Sequence, residues 1–503
     1  LHNMKARMLK TALLRMTGRK KEAIDFAKET LSIDPMDFAA SYELTLLDTE
    51  NREKYSINKR IKDNPNWVIE LAIEYADAGL YDEAIDILKI YCEDRTPYSI
   101  YPMVYYYLAH YSQCKGSEKE ASRYRQLASK ADSSYCFPHR CEDIIVLRSS
   151  LDREPEDAKG WYYLGNLWYD KRQYSDAISA WEKSRDIDPQ FPTAHRNLAL
   201  AYFNKLGDAE KARREMEKAF ELDKSDARVL MELNQLYKKL GIGPEIRQKL
   251  LEENMETTVK RDDLFCEYIA IKNISGRHEE ALELINGRHF HPWEGGEGKV
   301  SYQYICALTE IAKKKILSKQ YKDALELLER ATVYPENLGE GKLIIAKEND
   351  TYYWMGVAYE GLGEYEKARK SFEKASIGDD EPAGMMYYND QPPEMIFYQG
   401  LAFKKLGKDE EARRCFDKLI NYAEKHMNDE VRIDYFAVSL PDLLIFDDDL
   451  NKKNRIHCLF MSALGLIGKG DPENAKKILN DASEMDPNHQ GIIIHKNYLE
   501  MML

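Results

Sequence analysis

Four short stretches of the chain gather side chains that could hold a phosphate or a metal ion. Residues 294–299 read EGGEGK. A phosphate-cradling loop needs the full G-x-x-x-x-G-K-[ST] spacing, so that backbone amides wrap the phosphates and a hydroxyl holds magnesium. Here Trp293 stands where the first glycine belongs, Val300 follows Lys299, and Glu294 and Glu297 would face the phosphates. These residues predict a turn-rich loop. His289 and His291, with Glu294 and Glu297 nearby, could be imagined as metal ligands. Zinc wants three or four convergent ligands; a His-x-His pair supplies two, and Pro292–Trp293 reads instead as an anchor packing on the body of the protein. Cys136, His139 and Cys141 place three potential ligands in six residues, with no second pair at the longer spacing that structural zinc uses. A buried link between helices is expected there. Asp447, Asp449 and Asn451 imitate the start of a calcium loop, but Lys452 holds the glycine position and Cys458 the glutamate position. That segment predicts a solvated turn with helix-capping duty. The sequence has no G-x-S-x-G, no H-E-x-x-H and no kinase signature. The expectation is a non-enzyme with no catalytic residue, no metal and no cofactor.

The elements that position these stretches follow from composition and period. The chain has 503 residues, a net charge of −14, 44% hydrophobic and 32% charged residues. A folding chain is implied, without the basic face that nucleic-acid binding needs. No run approaches the ~18–20 apolar residues of a membrane-crossing helix. Gly and Pro total only 43 residues, and that scarcity of turn formers favours helices over strands. Eight cysteines in so long a chain fit a reducing compartment, and a cytoplasmic location is expected. No basic-then-apolar leader opens the sequence, and the chain starts at Leu1 without an initiator Met. A fragment of a longer protein is therefore expected.

One pattern recurs along the chain. Its clearest copy is Trp161, Leu164, Gly165, Trp168, Tyr174, Ala177, Trp181 and Pro189. Met355, Gly356, Tyr359, Gly363, Tyr365, Ala368, Phe372 and Ala375 keep the same register, as do Gly400, Phe403, Gly407, Ala412 and Phe416. This spacing resembles the tetratricopeptide repeat, a 34-residue helix–turn–helix unit. Small residues would sit where the two helices cross, a left-handed Gly would end the first helix, and Pro would stop the second. The resemblance implies an all-α, right-handed superhelical solenoid of about eleven helix pairs, closed by a capping helix over residues 490–503. Its three stretches are 1–157, with irregular insertions; 158–260, with regular repeats; and 261–503, with long loops and the cap. Ile492, Ile493, Ile494, Met501, Met502 and Leu503 make that cap more apolar than a solvated one, which predicts something packed on it, a second copy included.

The period breaks at residues 36–64, 132–157, 286–300, 336–347, 377–393 and 428–455. The loops at 286–300, 377–393 and 428–455, with His289–Lys299, Asp379–Pro393 and Asp434–Asp449, resemble the repeat-bearing C-terminal half of a group of bacterial proteins in which an N-terminal β-rich domain of unknown function, one that looks carbohydrate-related, precedes the repeats. That likeness implies a second reading, in which the repeats position a domain lying before Leu1.

The main expectation is an interaction scaffold. In such repeats the first helices line a groove that takes extended peptides or helices, and helical spacing puts Lys159, Tyr162, Asn166 and Tyr169 of one repeat on that groove. Arg196 with Asn197 and then Arg228 follow in the next repeats. Some members of the family hold a peptide's terminal carboxylate with a Lys–Asn, Asn, Lys–Arg clamp. Asn166, Asn197 and Arg228 match it, while Tyr162 and Glu232 replace two of its positive charges. An acidic or carboxylate-ended peptide or protein partner is implied, with neither nucleic acid nor membrane. Tyr106, Tyr353, Phe397 and Tyr398 also fall near groove places.

Overall fold

The computed structural model describes residues 3–57, 61, 64–93, 95–384, 390–432 and 445–502. Parts of the 36–64, 377–393 and 428–455 loops, and Leu503, lie outside the described residues. Among those described there are twenty-seven α-helices and no strand, as the period requires.

Contacts group the chain into residues 1–198 and 199–503, a division that falls within α12. The first unit begins with α1 (Met4–Met16) and α2 (Lys20–Ile33). The irregular second stretch follows as α3 (Phe38–Leu47) and the single-turn α4 (Arg52–Tyr55). Then come α5 (Pro65–Asp77) with α6 (Tyr81–Cys92), and α7 (Pro102–Cys114) with α8 (Glu118–Lys130). An unpaired α9 (Cys141–Leu151) precedes α10 (Ala158–Asp170), α11 (Tyr174–Ile187) and α12 (Pro192–Leu206).

The second unit continues with α13 (Ala209–Leu222), α14 (Ala227–Lys239), α15 (Pro244–Glu253) and the short α16 (Met255–Thr258). Four regular pairs follow: α17 (Asp262–Ile274) with α18 (His278–Asn286), α19 (Lys299–Leu317) with α20 (Tyr321–Ala331), α21 (Asn349–Gly361) with α22 (Tyr365–Ala375), and α23 (Pro393–Lys405) with α24 (Asp409–His426). The last are α25 (Leu450–Lys469), α26 (Pro472–Met485) and α27 (Gln490–Met502).

Local chemistry explains the pairs. Gly79, Gly116, Gly363, Gly407 and Gly470 end first helices with φ between 73° and 82°, the left-handed conformation that a side chain disfavours. Second helices end on an Asp-Pro step at Asp34, Asp188 and Asp486. Each aspartate also accepts the backbone N–H two residues on, at 2.9–3.0 Å, so the stop is an Asx turn as well as a proline. Where paired helices cross, Ala177, Ala368 and Ala412 are almost wholly buried, and aromatic rings lie on glycines of the facing helix.

The 132–157 interruption is pinned from within. Asp143, fully buried, accepts the Tyr107 hydroxyl at 2.8 Å and the backbone N–H groups of His139 and Arg140 at 2.9 and 3.0 Å. Beside it Cys136 is buried, while His139 and Cys141 are exposed. The buried link is thus made by Asp143 and Cys136, while His139 and Cys141, expected in it, face outward.

Candidate functional site

The interior of the first unit brings several of the expected groove residues together. From α10, Asn166 Oδ1 accepts the Trp181 indole N–H at 3.1 Å and Asn197 Nδ2 at 3.0 Å. Arg196 Nη1 in turn donates to Asn197 Oδ1 at 3.2 Å. Guanidinium and two amides thus form one hydrogen-bonded row across the first helices of adjacent repeats, each side chain half-buried. Tyr162 is buried, its ring edge-on to Phe191 with centroids 4.8 Å apart. Tyr169 is half-buried and packs on Trp181 and Tyr174 at 5.2 and 5.0 Å. Lys159 is spent locally, its ammonium donating to the Ala131 carbonyl at 2.6 Å. Tyr106 belongs to the core: it is fully buried and donates to Asp157 at 2.7 Å.

Arg228 stands at the start of α14 in the second unit. Its side chain is 62% exposed, and its Nε donates at 3.0 Å to Oε1 of Glu232, which is fully buried one turn on.

The second unit corrects the sequence reading most. Tyr353, Phe397 and Tyr398 line no open groove; all three are buried. Phe397 and Tyr398 are covered by α27, which lies on the inner, first-helix side of the repeats. Tyr498 meets Trp354 and Phe397 edge to face at 6.0 and 6.1 Å. His495 sits 5.8 Å from Phe397, 6.0 Å from Tyr398 and 5.4 Å from Phe460. Ile492 and Leu499 are also buried. Burial, with Lys313 nearby, drops His495 to about 3, so the ring is neutral. The approach to α27 is fixed by amides: Arg247 Nη1 donates to Asn488 at 2.8 Å, Asn488 Nδ2 to the Ile242 carbonyl at 3.0 Å, and Gln303 Nε2 to Gln490 at 3.0 Å. Of the residues that suggested a self-association surface, Ile492 is therefore covered by the chain's own repeats, while Met501 is exposed. Ile493 and Ile494 stay half-buried. The excess of apolar residues over 492–501 was the signal; its destination was not legible, because the contacts beyond those with α25 and α26 are made with helices roughly 100 to 230 residues earlier.

The loops are tethered in the same manner. At the described end of the 428–455 loop, Phe446 is buried against Phe203 at 5.2 Å, and Asn204 Nδ2 donates to the Ile445 carbonyl at 2.9 Å. Asp448 pairs with Lys239 and Lys453, and Asp449 caps α25 by accepting the Lys452 N–H at 2.9 Å. In the 286–300 loop the anchor is Phe290 rather than Trp293. Phe290 is buried and its N–H donates to the Asn337 carbonyl at 2.8 Å; Trp293 is half-buried and folds over Gly296. His291 bonds to Asp262 at 3.0 Å. Glu340 accepts the N–H groups of Gly298 and Ser301 at 2.8 and 2.9 Å, so the amides a phosphate would need already hold a carboxylate. Among the described residues no group of three His, Cys, Asp or Glu side chains is placed to hold a metal. No helix among them is long and apolar enough to cross a membrane.

Comparison with known proteins matches the repeats themselves. The "TPR repeat" family covers residues 165–205, and "tetratricopeptide repeat" families cover 194–226, 350–376, 394–425 and 456–489. Tetratricopeptide repeat protein 37 of Xenopus laevis is 38% identical over 87 residues, which is 16% of this chain and 6% of that protein. The P58(IPK) TPR domain is 13% identical, covering 99% of this chain and 98% of its own, with a TM-score of 0.25. MamA is 22% identical over 43% of this chain and 96% of its own, with a TM-score of 0.18. YrrB, described as a TPR protein with an unusual peptide-binding site, is 14% identical over 46% of this chain and 91% of its own, at 0.19. The chain thus carries tetratricopeptide repeats over these matched residues.

Proposed function

We propose that this protein is a non-enzymatic scaffold that holds an acidic or carboxylate-ended segment of a partner protein. The contact surface is formed by Asn166, Tyr169, Arg196 and Asn197 in the first unit, with Tyr162 buried against Phe191 and not itself open to a partner; in the other unit Arg228 carries an exposed guanidinium. The observation that carries this reading is the Arg196–Asn197–Asn166 row. It gathers amides and a guanidinium on one half-exposed face of a protein whose net charge is −14. Dispersed charge would serve solubility better than such a row, whereas fixed donors side by side suit a carboxylate. Tyr169 adds an apolar flank. All eight cysteines are free thiols, and the cytoplasmic placement rests on the reducing conditions this suits.

The test is an array of acidic peptides, each with a free and an amidated C-terminus, probed with the full chain. Binding should favour the free carboxylate, and Arg196→Ala should weaken it by ~1–3 kcal/mol for the charge-assisted hydrogen bond lost. Equal binding of amidated peptides, or an Arg196→Ala protein that binds as well as the parent, would overturn the reading.

A further inference from the structure

The unpaired helix α9 brings two arginines to one place without giving either an acidic partner. Arg148 lies in its last turn and Arg153 just beyond its end, and neither makes an ion pair among the described residues. Both line an open hollow of about 510 Å³ between the end of α7 and α9, together with Gln113, Ile145, Ser149 and Asp152. That volume falls within the range of small-ligand sites. The hollow lies wholly within the first unit and shares no residue with the Arg196 row.

The donors around it are held in place. The Arg148 guanidinium lies over the Trp168 ring, 5.3 Å from its centroid, a contact that restrains the fork without neutralising it. Arg125, buried and ion-paired to Glu118 and Glu154, donates from Nη1 to Gln113 Oε1 at 3.4 Å. The acceptor end of that amide is thereby turned to Arg125, and its NH2 end is left to donate elsewhere. The Ser149 hydroxyl has no hydrogen-bond partner among the described residues. Asp152 closes α9 through its backbone N–H, and its carboxylate pairs with neither guanidinium. Two guanidiniums against one carboxylate leave the hollow net positive, in a protein whose net charge is −14.

The dipole of α9 favours a cation at its end, and that accounts for one arginine. It does not account for a second, nor for an amide oriented beside them. A carboxylate would be satisfied by one guanidinium fork, whereas two forks, an amide and a hydroxyl match the larger charge and tetrahedral oxygens of a phosphate.

We propose that the hollow between α7 and α9 binds a phosphate monoester. Arg148 and Arg153 meet the phosphate oxygens, Gln113 Nε2 and Ser149 Oγ donate beside them, and Ile145 lies against the esterified group. The monoester is either a phosphorylated side chain of another protein or a small phosphate ester, and the probes separate the two.

The full chain is titrated calorimetrically with a phosphoserine peptide and with glucose 6-phosphate, each beside its unphosphorylated form. At least one phosphorylated probe should bind saturably at one site, at least about tenfold more tightly than its plain form. Tighter binding of the peptide makes the source a phosphorylated protein, and tighter binding of the sugar phosphate a small molecule; either upholds the site. In Arg148→Gln/Arg153→Gln protein the affinity should fall at least about tenfold. Asp152→Asn should raise it, because the one opposing charge is gone, a gain that a purely structural role would not produce. Saturable binding of neither probe, equal binding of phosphorylated and plain forms, or an unchanged affinity in the double variant overturns the proposal, as does a loss of affinity in Asp152→Asn. Should the double variant not fold, Arg153→Gln decides alone, since residue 153 lies beyond α9 and is exposed; an affinity equal to the parent's overturns the proposal as well.

Discussion

The indole of Trp181 lies so close over Gly165 that a Cβ at position 165 would come within 2.4 Å of its Cδ1. The same contact joins Phe372 to Gly356 at 2.5 Å and Phe416 to Gly400 at 2.4 Å. In each pair the ring comes sixteen positions after the glycine, so one steric relationship sets the helix crossing in three repeats.

This reverses the usual effect of a helical Gly→Ala change. In an exposed helix that substitution stabilises by ~0.5–1 kcal/mol. At Gly165, Gly356 or Gly400 it should instead destabilise by ~1–3 kcal/mol, because a rigid ring must move. Ala177→Leu, in the facing helix, should have the same sign and size. Chemical denaturation followed by circular dichroism measures all four; a neutral result at Gly165 would mean that the crossing is not set by this contact.

Two repeats lack the turn glycine. Arg172 and Lys319 occupy the left-handed position with φ of 60° and 58°, where a Cβ is disfavoured by ~1–2 kcal/mol. Arg172→Gly and Lys319→Gly should therefore stabilise by several tenths of a kcal/mol, after glycine's larger unfolded-state entropy is subtracted. A lowered melting temperature in either variant would show that the long side chain contributes more than its backbone strain.

These contacts separate what could be read in the sequence from what could not. Gly165, Trp181 and Ala177 announce themselves because the interacting pair lies within one repeat and recurs with a fixed period. The same period put Asn166 and Asn197 at equivalent places of adjacent repeats, and their amides are hydrogen-bonded to each other. Phe290 and α27 were not legible in this way. Their partners are chosen by the three-dimensional return of a loop or a helix onto distant repeats, and no local period encodes such a return. Composition showed only that the 490s were too apolar to face water.

Two carboxyls give the second unit a pH dependence. Burial raises Asp350 to about 6 against the pull of the Thr351 hydrogen bond and Lys313; burial, with the charge of Asp350, raises Glu394 to about 7. Below about pH 4 both are protonated in the folded and unfolded chain alike, so they do not bias folding. As pH rises toward 7, the unfolded chain sheds these protons first, and stability falls through that window. Asp350→Asn and Glu394→Gln should thus melt higher than the parent at pH 8, with the margin closing at pH 4. A margin that is constant across this range would mean that neither carboxyl is held protonated by the fold.

Chelation should leave the protein unchanged. His291 is engaged by Asp262, and Cys136 is buried away from the exposed His139 and Cys141, so neither cluster converges on a point. Elemental analysis of purified protein should find less than stoichiometric zinc, and excess EDTA should not shift the melting temperature. Stoichiometric zinc would overturn this assignment.

Arg228 is the residue at which binding and stability must be separated. Its Nε holds the buried Glu232 carboxylate, while the side chain as a whole remains 62% exposed. Removing the guanidinium therefore withdraws a donor from a buried acceptor, and Arg228→Ala should destabilise by ~1 kcal/mol whatever the residue does for a partner. In a Glu232→Gln background the acceptor is neutral, the charge-assisted part of the bond is already gone, and the same substitution should cost only a few tenths. The difference between backgrounds, ~0.5–1 kcal/mol, is the structural share of Arg228. Its binding share behaves differently: on the function proposed above, affinity for a carboxylate-ended peptide should fall on Arg228→Ala in both backgrounds alike, because the exposed part of the guanidinium would meet the peptide and not Glu232. Denaturation curves and peptide titrations on the four proteins read the two shares independently. If affinity responds only where Glu232 is intact, the arginine acts through the fold of α14, and the contact surface would then be confined to Asn166, Asn197 and Arg196.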